Sequence, residues 1–473
     1  MISTYEIDTP DTETALEILR ATLRGQLILP DDIKYEGARR LWNGIFDKRP
    51  ALIVRCVETA DVITAVNFAR EHHLCVAVRG GGHSAAGHSM SEGGMTIDLS
   101  GMKSVSVDPV AQVAQAEPGL LLSDLDQATQ AYGLAVPAGQ ISHTGVAGLT
   151  LGGGVGWLMR KYGLTVDNLL AVKIVTADGR LLTASEDINP DLFWGVRGGG
   201  GNFGIVTNFT FRLHPVGPEM LGGPVLYSLD KATNVLRKFR QFMANAPDEL
   251  TAFAVLLTIP PSEPFPAYLH GKPMLVLDMC YAGPIAEGEK VVKPLRSLET
   301  PDLDLVGPLP YVVRQSMLDT SAPPGMHYYT TASYLQDLED EAIETLVAHF
   351  AHVTNPLIHL TVSRLGGAIA RVAEDATAFS HRHSTYLLWL IGVWPPEDEA
   401  ELHVQWVRGL SAAMQPFKSG GVYVNALGEE RQERVEAAYG AAKYRRLQAL
   451  KQKYDPTNFF HLNQNITPAN RPY

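Results

Sequence analysis

The sequence is poor in cysteine. Its 473 residues include only Cys56, Cys75 and Cys280, and none of the three belongs to a CxxC or CxxH motif. Three dispersed thiols cannot form a disulfide framework, and they give no sign of a structural zinc site. We therefore expect a protein of the reducing cytoplasm that binds no metal.

Positive charge and long apolar runs are also scarce. The chain has 39 Lys and Arg against 51 Asp and Glu, so its net charge of −12 offers no general attraction to nucleic acid. The amino-terminal segment 1–20 is acidic and lacks the basic head and apolar run of a signal peptide. The uncharged stretch 141–159 holds six glycines, which suit a buried loop better than a membrane span. We expect no nucleic-acid partner and no membrane partner.

The composition is that of a folded, globular protein. Hydrophobic residues make up 45% of it, enough for a sizeable core, and the length fits two or three domains. Segment 50–79 has the pattern strand, helix, strand, with the helix over 59–73. Further elements are predicted at 95–99 (strand), 121–132 (helix), 172–213 (short strands), 274–280 and 386–394 (strands) and 431–454 (a helix ending before Pro456).

Three glycine-rich loops, at 79–89, 137–157 and 196–204, carry the clearest chemical signal. Glycine allows the main chain to approach a ligand closely and to turn its N–H groups toward anions, although a single such loop is more often only a tight turn. Two of the loops match dinucleotide-binding glycine spacings, but neither leads into a helix, as a Rossmann fold requires. The loops therefore favour a phosphate-bearing cofactor that is not a nicotinamide dinucleotide.

His83 is the reactive side chain of the first loop. Its neighbours are glycine and small residues, so the imidazole is free to serve as a metal ligand, a base, a nucleophile toward a cofactor or an ordinary loop residue. A metal would need partners, and His88 alone, without an HxH or HExxH pattern, does not supply them.

Four motifs together resemble a known family. They are RGGGHS (79–84), PAG with GxxGLTLGGGxGWL (137–158), NPDLFWGVRGGGGNFG (189–204) and YDPTNFFHLNQNI (454–466). In this order they are similar to the berberine-bridge-enzyme-like group of the vanillyl-alcohol-oxidase flavoproteins. Within that group the chain is most similar to oxidases of bacterial natural-product pathways, through RRLWNG (39–44), SHTG (142–145) and RKYGL (160–164).

This resemblance implies an α+β fold with three parts. Residues 1–215 would form an FAD-binding domain of the PCMH type, built from two α+β subdomains. Residues 216–415 would form a substrate domain, in which helices cover an antiparallel sheet. Residues 416–473 would return to the FAD domain.

The resemblance also implies FAD, joined to His83 by a single 8α-histidyl bond. A second bond, made by cysteine in many relatives, is not expected, because Ile141 stands near that position and 137–157 contains no cysteine. The cofactor-binding residues implied are Arg79, Gly80, Gly81, Gly82, His83, Ser84, Gly87, His88, Pro137, Ala138, Gly139, Ser142, Gly145, Gly148, Gly152, Gly153, Gly156, Trp157, Gly204, Ile205, Val206, Asn425, Asn463 and Asn465.

The catalytic residues are less well defined. By resemblance, His143 and Thr144 would lie near N5 of the flavin, and Tyr423 would support the ring from the returning segment. Thr361 and Arg364 are candidates from the substrate domain, and the base remains open among these and His359, Tyr328 and Tyr329. The segment IHLTVSRLGGA (358–368) lacks the carboxylate expected there by analogy with the natural-product oxidases, so identical chemistry is not implied.

The function implied is that of an FAD-linked oxidase. It would remove hydride from a hydroxylated or activated carbon of a small molecule, such as a secondary metabolite, and dioxygen would reoxidise the flavin. Flavin-mediated oxygenation is left open as a further outcome. The alternatives are a dehydrogenase of the same fold with another electron acceptor and a catalytically silent flavin-binding protein. The chain would act as a monomer or homodimer.

Overall fold

The computed structural model describes residues 10–428 and 432–469. The helices are α1 (Pro10–Thr22), α2 (Tyr35–Arg39), α3 (Thr59–Glu71), α4 (Leu122–Gln130), α5 (Val146–Gly152), α6 (Met159–Tyr162), α7 (Pro190–Val196), α8 (Ala232–Met243), α9 (Ile285–Val292), α10 (Tyr311–Ser316), α11 (Asp340–Phe350), α12 (Ala368–Arg371), α13 (Ala400–Ala413), α14 (Gln432–Tyr439) and α15 (Ala441–Tyr454). Short 3-10 helices lie at Thr165–Asn168, Leu229–Lys231, Ala267–Leu269, Leu295–Ser297, Asp319–Ser321, Gln415–Phe417 and Val424–Ala426.

The strands are β1 (Gln26–Ile28), β2 (Leu52–Arg55), β3 (Val76–Arg79), β4 (Met95–Asp98), β5 (Val105–Asp108), β6 (Val113–Ala116), β7 (Leu134–Ala135), β8 (Leu169–Val175), β9 (Leu181–Ser185), β10 (Ile205–Arg212), β11 (His214–Pro215), β12 (Glu219–Ser228), β13 (Leu250–Thr258), β14 (Pro273–Tyr281), β15 (Leu303–Asp304), β16 (Gly307–Pro310), β17 (His327–Leu335), β18 (His359–Arg364) and β19 (Tyr386–Trp394). None of the helices in the described ranges combines the length and the apolar character that crossing a bilayer would require.

The first sheet has the order β1-β2-β4-β3, in which β2, β4 and β3 run parallel. Its strands are apolar and rich in β-branched residues, as parallel strands buried on both faces require. Val62 and Val66 of α3 pack with Leu52 and Ile97 of the sheet in one core. The predicted strand–helix–strand unit is therefore present, and it delivers the chain from β3 into the first glycine loop.

The second sheet is antiparallel, with the order β5-β6-β10-β8-β9. Phe209 and Phe211 of β10 are buried in a core that also contains Tyr444 and Leu447 of α15. The carboxy-terminal helices thus pack on the first half of the chain, and the third glycine loop, which leads into β10, lies beneath them.

The third sheet follows the path β15-β12-β14-β13-β18-β19-β17, with β16 also paired to β12. On one face, Leu360 and Val362 pack into a core shared with α8, α11 and α13. On the other face, Phe253 of β13 packs with Trp157 and Tyr423 from the flanking parts of the chain. The antiparallel sheet covered by helices, and the α+β class, are confirmed, and the second face looks onto the glycine loops.

Two predicted elements were wrong in part. The helix expected over 431–454 is instead two helices, α14 and α15. Gly440 between them has a φ of 73°, a left-handed conformation that interrupts a right-handed helix. Its expected first residue, Arg431, and the first nine residues of the acidic amino-terminal segment 1–20 lie outside the described residues. The stretch 141–159 is buried for most of its length, but it contains helix α5 between Gly145 and Gly153, whose glycine-rich flanks conceal the helical pattern.

Candidate active site

His83 lies in the loop after β3, where its half-buried imidazole stacks on Trp42. The ring centroids are 4.8 Å apart and the planes differ by 13°. Trp42 stacks in turn on Tyr328 at the start of β17, at 3.8 Å. The Trp42 N–H donates to the carbonyl of Gly82, and its indole Nε1 donates to the carbonyl of Ala322. The His83 ring is thus held in place by a stack that ends in the third sheet.

His143 approaches the same imidazole from the second glycine loop. Its Nδ1 lies 2.9 Å from Nε2 of His83, and the two rings are tilted, with centroids 4.9 Å apart. Burial and, to a lesser extent, the neighbouring His143 lower the pKa of His83 to about 3, against an opposing hydrogen bond to the His143 backbone. His83 is therefore a neutral imidazole at physiological pH. The structure places His143 against His83, a contact that its expected position near flavin N5 did not anticipate.

The first two glycine loops meet main chain to main chain. A Cβ at Gly81 would overlap with the backbone of Gly145, and a Cβ at Gly145 would overlap with that of Gly81. A Cβ at Gly156 would likewise collide with the carbonyl of Ala138, and one at Gly152 with the amide of Asn425. At these positions the protein's own packing explains the glycine. Gly148 differs, because it is exposed and no atom would lie within 4 Å of its Cβ.

Several polar groups around these loops have no partner among the described residues. The main-chain N–H groups of Gly81, Gly82 and His83 form no hydrogen bond there. Four buried side-chain atoms are also unpaired: His143 Nε2, Trp157 Nε1, Asn463 Oδ1 and Asn465 Oδ1. Buried polar groups are normally satisfied, so such a set is the signature of a missing polar ligand. Consecutive N–H donors suit phosphate oxygens, and imidazole, indole and amide groups suit a heterocycle with ring nitrogens and carbonyls. The residues therefore fit FAD.

The segment between β16 and β17 holds the loop that carries His143. Asp319 accepts hydrogen bonds from Ser142 N at 2.7 Å and from Ser142 Oγ at 2.6 Å. Gln315, one turn earlier, donates to the carbonyl of Gly139 at 3.2 Å and to Asp126 Oδ2 at 3.0 Å. Sequence reasoning missed Asp319 and Gln315, since no local pattern connects residues so far apart in the chain.

Tyr423 lies buried between the third sheet and the second glycine loop. Its hydroxyl oxygen accepts hydrogen bonds from Gly154 N and from Asn425 Nδ2, each at 3.0 Å. Burial raises its pKa, although these two bonds oppose the shift. Because both lone pairs are engaged, the hydroxyl is placed to donate its hydrogen and not to accept a proton.

The two candidates on β18 point in opposite directions. Thr361 pairs with Trp389 of β19, on the face that looks toward Tyr423. Arg364 is three residues further along the strand, so it shares the helix-covered face of Leu360 and Val362, and its guanidinium lies 5.1 Å from the ring centroid of Tyr386. Arg364 is therefore separated from the His83 site by the thickness of the sheet.

The other candidate bases each make a hydrogen bond within the protein. His359 Nδ1 lies 3.0 Å from the carbonyl of Leu357, and burial lowers its pKa. The hydroxyl of Tyr328 donates to Pro323 O at 2.7 Å, and that of Tyr329 accepts from Arg408. The described residues contain no cluster of three or more metal-ligating side chains.

The remaining predicted residues fall into two sets. Arg79, Gly80, Ser84, Gly87, His88, Pro137, Thr144 and Gly153 lie in or beside the first two glycine loops. Ile205 and Val206 belong to buried cores on β10, and a Cβ at Gly204 would collide with the carbonyl of Val175. The second set is explained by strand packing, so its place at the cofactor stays a prediction. Trp42 was not singled out, although a tryptophan directly before Asn-Gly was a signal available in the sequence.

Comparison with known proteins gives the same class. Residues 50–185 match the family model of an FAD binding domain, and residues 422–467 match that described as berberine and berberine like. An FAD-linked oxidoreductase of Dictyostelium discoideum is 32% identical over 92% of this chain and 92% of its own length. The (R)-6-hydroxynicotine oxidase of Paenarthrobacter nicotinovorans is 30% identical over 94% of this chain and 97% of its own length.

Solved structures agree. The crystal structure of 6-hydroxy-D-nicotine oxidase from Arthrobacter nicotinovorans is 27% identical, covers 94% of this chain and 98% of its own, and superposes with a TM-score of 0.85. The fold and the site thus define an FAD-dependent oxidoreductase. The chain belongs to the berberine-bridge-enzyme-like family of FAD-linked oxidoreductases.

Proposed function

We propose that the protein is an oxidase whose FAD is joined to His83 by a single 8α-histidyl bond. The observation that carries this proposal is the stacking of the His83 imidazole on Trp42, beside three main-chain N–H groups that have no partner among the described residues. Burial lowers the pKa of that imidazole, which favours its neutral form. When bound, the flavin would accept a hydride from the substrate. Gly81, Gly82 and His83 would donate to its phosphates, and Asn463 and Asn465 would offer amide groups to its rings.

Dioxygen is the electron acceptor that we propose, and a small uncharged molecule is the substrate. The sheet face in front of Tyr423 supports an uncharged substrate. It presents Val255, Thr361 and Trp389, and among the described residues it carries no unpaired charged group. Tyr423 would orient the substrate by donating its hydroxyl hydrogen. The oxidase named for 6-hydroxynicotine, a relative over nearly the whole chain, supports an oxidase with a small-molecule substrate.

Two finer points complete the proposal. The substrate would be a secondary metabolite that loses hydride from a hydroxylated or activated carbon, as in the oxidases of bacterial natural-product pathways such as that of enterocin. The protein would act in the cytoplasm, because three dispersed cysteines fit a reducing compartment better than an oxidising one. It would act as a monomer or homodimer.

The linkage is tested by acid precipitation of the purified protein. The yellow chromophore should remain in the pellet of the wild type and pass to the supernatant in His83→Ala. The matched control is His214→Ala, outside the three glycine loops, where burial also lowers the pKa of the imidazole, to about 4. That variant should keep the chromophore in the pellet. A yellow supernatant from the wild type would refute the bond.

The acceptor is tested separately. The flavin is reduced anaerobically, air is admitted, and the absorbance of the oxidised flavin is followed. Recovery within seconds, with formation of hydrogen peroxide, is expected of an oxidase. A flavin that stays reduced in air for many minutes would identify a dehydrogenase, and one that no substrate panel bleaches would identify a silent flavin-binding protein.

A further inference from the structure

We infer that a small cavity beside Tyr423 binds dioxygen before it reacts with the reduced flavin. The residues that line this cavity, which we name the Val422 cavity, include Gly198, Phe379, Val422, Val424, Ala438 and Tyr439. The inference rests on the proposed function, because it takes dioxygen as the electron acceptor. It adds a binding site for that acceptor within the protein.

The Val422 cavity lies where two hydrophobic cores meet. Val422 and Ala438 belong to the core that the second sheet shares with the carboxy-terminal helices. Phe379 belongs to the core on the face of the third sheet that looks onto the glycine loops, and so does Tyr423. Tyr423 and its neighbour Val422 therefore pack in different cores. The cavity lies beside the proposed substrate site and not within it.

Phe379 connects the cavity with the second glycine loop. A Cβ at Gly153 would come within 2.8 Å of the Phe379 ring, so the ring packs directly on that glycine. The main chain of Phe379 lies against Gly198 of the third glycine loop, where a φ of 120° favours glycine. The ring of Tyr423 stands edge-on to that of Phe379, with the centroids 6.2 Å apart. A diatomic molecule that passes the Phe379 ring therefore arrives at the loop beside which we place the flavin.

The walls of the cavity select its occupant. The space is sufficient only for a very small molecule, and the surface that faces it is mostly apolar. Apolar cavities in proteins stay free of water and bind apolar guests such as xenon. Dioxygen is small, uncharged and without a dipole moment. Of the reactants in the proposed function, it is the one that this cavity fits.

Water is the alternative occupant. The Tyr439 hydroxyl is buried and has no partner among the described residues, so it offers water a hydrogen bond. Ser380, which also lines the cavity, offers less, because its Oγ already donates to the Tyr439 carbonyl at 2.7 Å. A buried water usually makes about three hydrogen bonds, more than these two groups supply. Dioxygen requires none.

A dioxygen site of this kind affects only the second half of the reaction. Dioxygen that leaves the cavity takes up two electrons and two protons and becomes hydrogen peroxide, and the reduced flavin of the proposed function supplies both. Hydride removal from the substrate takes place on the other side of Tyr423. Filling the cavity should therefore slow reoxidation and leave reduction unchanged.

The first test compares Ala438→Leu with Ala437→Leu. Leucine at 438 fills the cavity, whereas residue 437, on the same helix α14, does not line it. The flavin of each holoprotein is reduced by light without oxygen and mixed with buffers of known dioxygen content, so no substrate is needed. We expect the second-order rate constant of reoxidation to fall about tenfold in Ala438→Leu, a barrier higher by about 1.4 kcal/mol. Ala437→Leu should stay within about twofold of the wild type.

The second test needs no filled cavity and stands even if Ala438→Leu fails to fold. Crystals of the wild-type holoprotein are pressurised with xenon, which should give density between Val422, Phe379 and Ala438. Tyr439→Phe keeps the cavity and removes the hydroxyl that water would use, so it should be reoxidised at the wild-type rate.

The outcomes separate this inference from the proposed function. Equal reoxidation rates for Ala438→Leu and the wild type would refute the dioxygen site alone. So would a cavity that takes up no xenon and shows a water bound to the Tyr439 hydroxyl. A wild-type flavin that stays reduced in air would refute the proposed acceptor, and the dioxygen site with it.

Discussion

At the scale of single residues, burial decides which proton each group carries in this protein. His83 and His88 share one loop, and burial lowers the pKa of both, so each imidazole is neutral where the protein works. Asp126 shows the opposite effect. It is buried, Gln315 is its hydrogen-bond partner, and burial raises its pKa to about 7.

Asp126 therefore makes stability depend on pH. Between its ordinary value of 3.8 and about 7, the folded state keeps a proton that the unfolded state releases, so stability falls as pH rises through this range. Asp126→Asn should remove the dependence, and at pH 8 it should exceed the wild type in free energy of unfolding by on the order of 4 kcal/mol, with little difference at pH 4. Urea unfolding at the two pH values measures this.

The control for that experiment is Asp187→Asn, the same exchange at an exposed position. It should leave the pH dependence unchanged. An Asp126→Asn variant whose stability runs parallel to the wild type from pH 4 to pH 8 would show that Asp126 is ionised throughout.

At the scale of elements, the glycine loops have two distinct uses. Gly81 and Gly145 allow one loop to rest on the other, while Gly148, on α5, faces open space. A sequence pattern cannot separate these uses, because both require only the absence of a side chain. The structure separates them by what a Cβ would meet.

The distinction predicts different phenotypes for two alanines. Gly145→Ala should force the loops apart and lower the free energy of unfolding by about 1–3 kcal/mol, the usual effect of overpacking. Gly148→Ala should keep the wild-type melting temperature, since alanine favours the helix, but it should weaken FAD retention by filling space beside the loops. Thermal melting and flavin content are measured for both. Equal melting temperatures for Gly145→Ala and the wild type would contradict the close packing.

Much of the element plan was predictable and part of the site was not. The strand–helix–strand unit and the long strands β14 and β19 followed from apolar runs and turn residues. The separation of Thr361 from Arg364 also follows from the twofold period of a strand, once the bounds of β18 are known. The stack of Trp42 between His83 and Tyr328, and the hydrogen bond that Ser142 donates to Asp319, join residues that are distant in sequence and leave no periodic pattern.

At the scale of the whole molecule, the carboxy-terminal segment is anchored by a buried ion pair. Lys451 donates to Asp455 Oδ2 at 2.7 Å, to Asn202 O at 2.7 Å and to Phe460 O at 2.8 Å. Both charged side chains are fully buried. The third glycine loop, which contains Asn202, is thereby tied to the tail that carries Asn463 and Asn465.

Removing one partner should therefore be severe. Lys451→Met leaves the Asp455 carboxylate buried and uncompensated, which costs about 3–5 kcal/mol of unfolding free energy. Lys453→Met is the matched control on the same helix, because Lys453 is exposed in its pair with Asp191 and such pairs contribute about 0–1 kcal/mol. Denaturant unfolding of the two variants measures the difference. A similar loss of unfolding free energy in both variants would show that the Lys451–Asp455 pair does not anchor the carboxy-terminal segment.

The clamp formed by Gln315 and Asp319 limits how relatives can be recombined. A chimera that exchanges residues 216–415 for those of another family member would replace the hydrogen-bond partners of the loop at 139–143. It would also replace the residues that contact the indole of Trp42. A chimera should therefore take segments 39–44, 139–143 and 311–328 from the same parent protein. Other parts of 216–415 could then be exchanged without disturbing the contacts that hold His83 and the loop at 139–143.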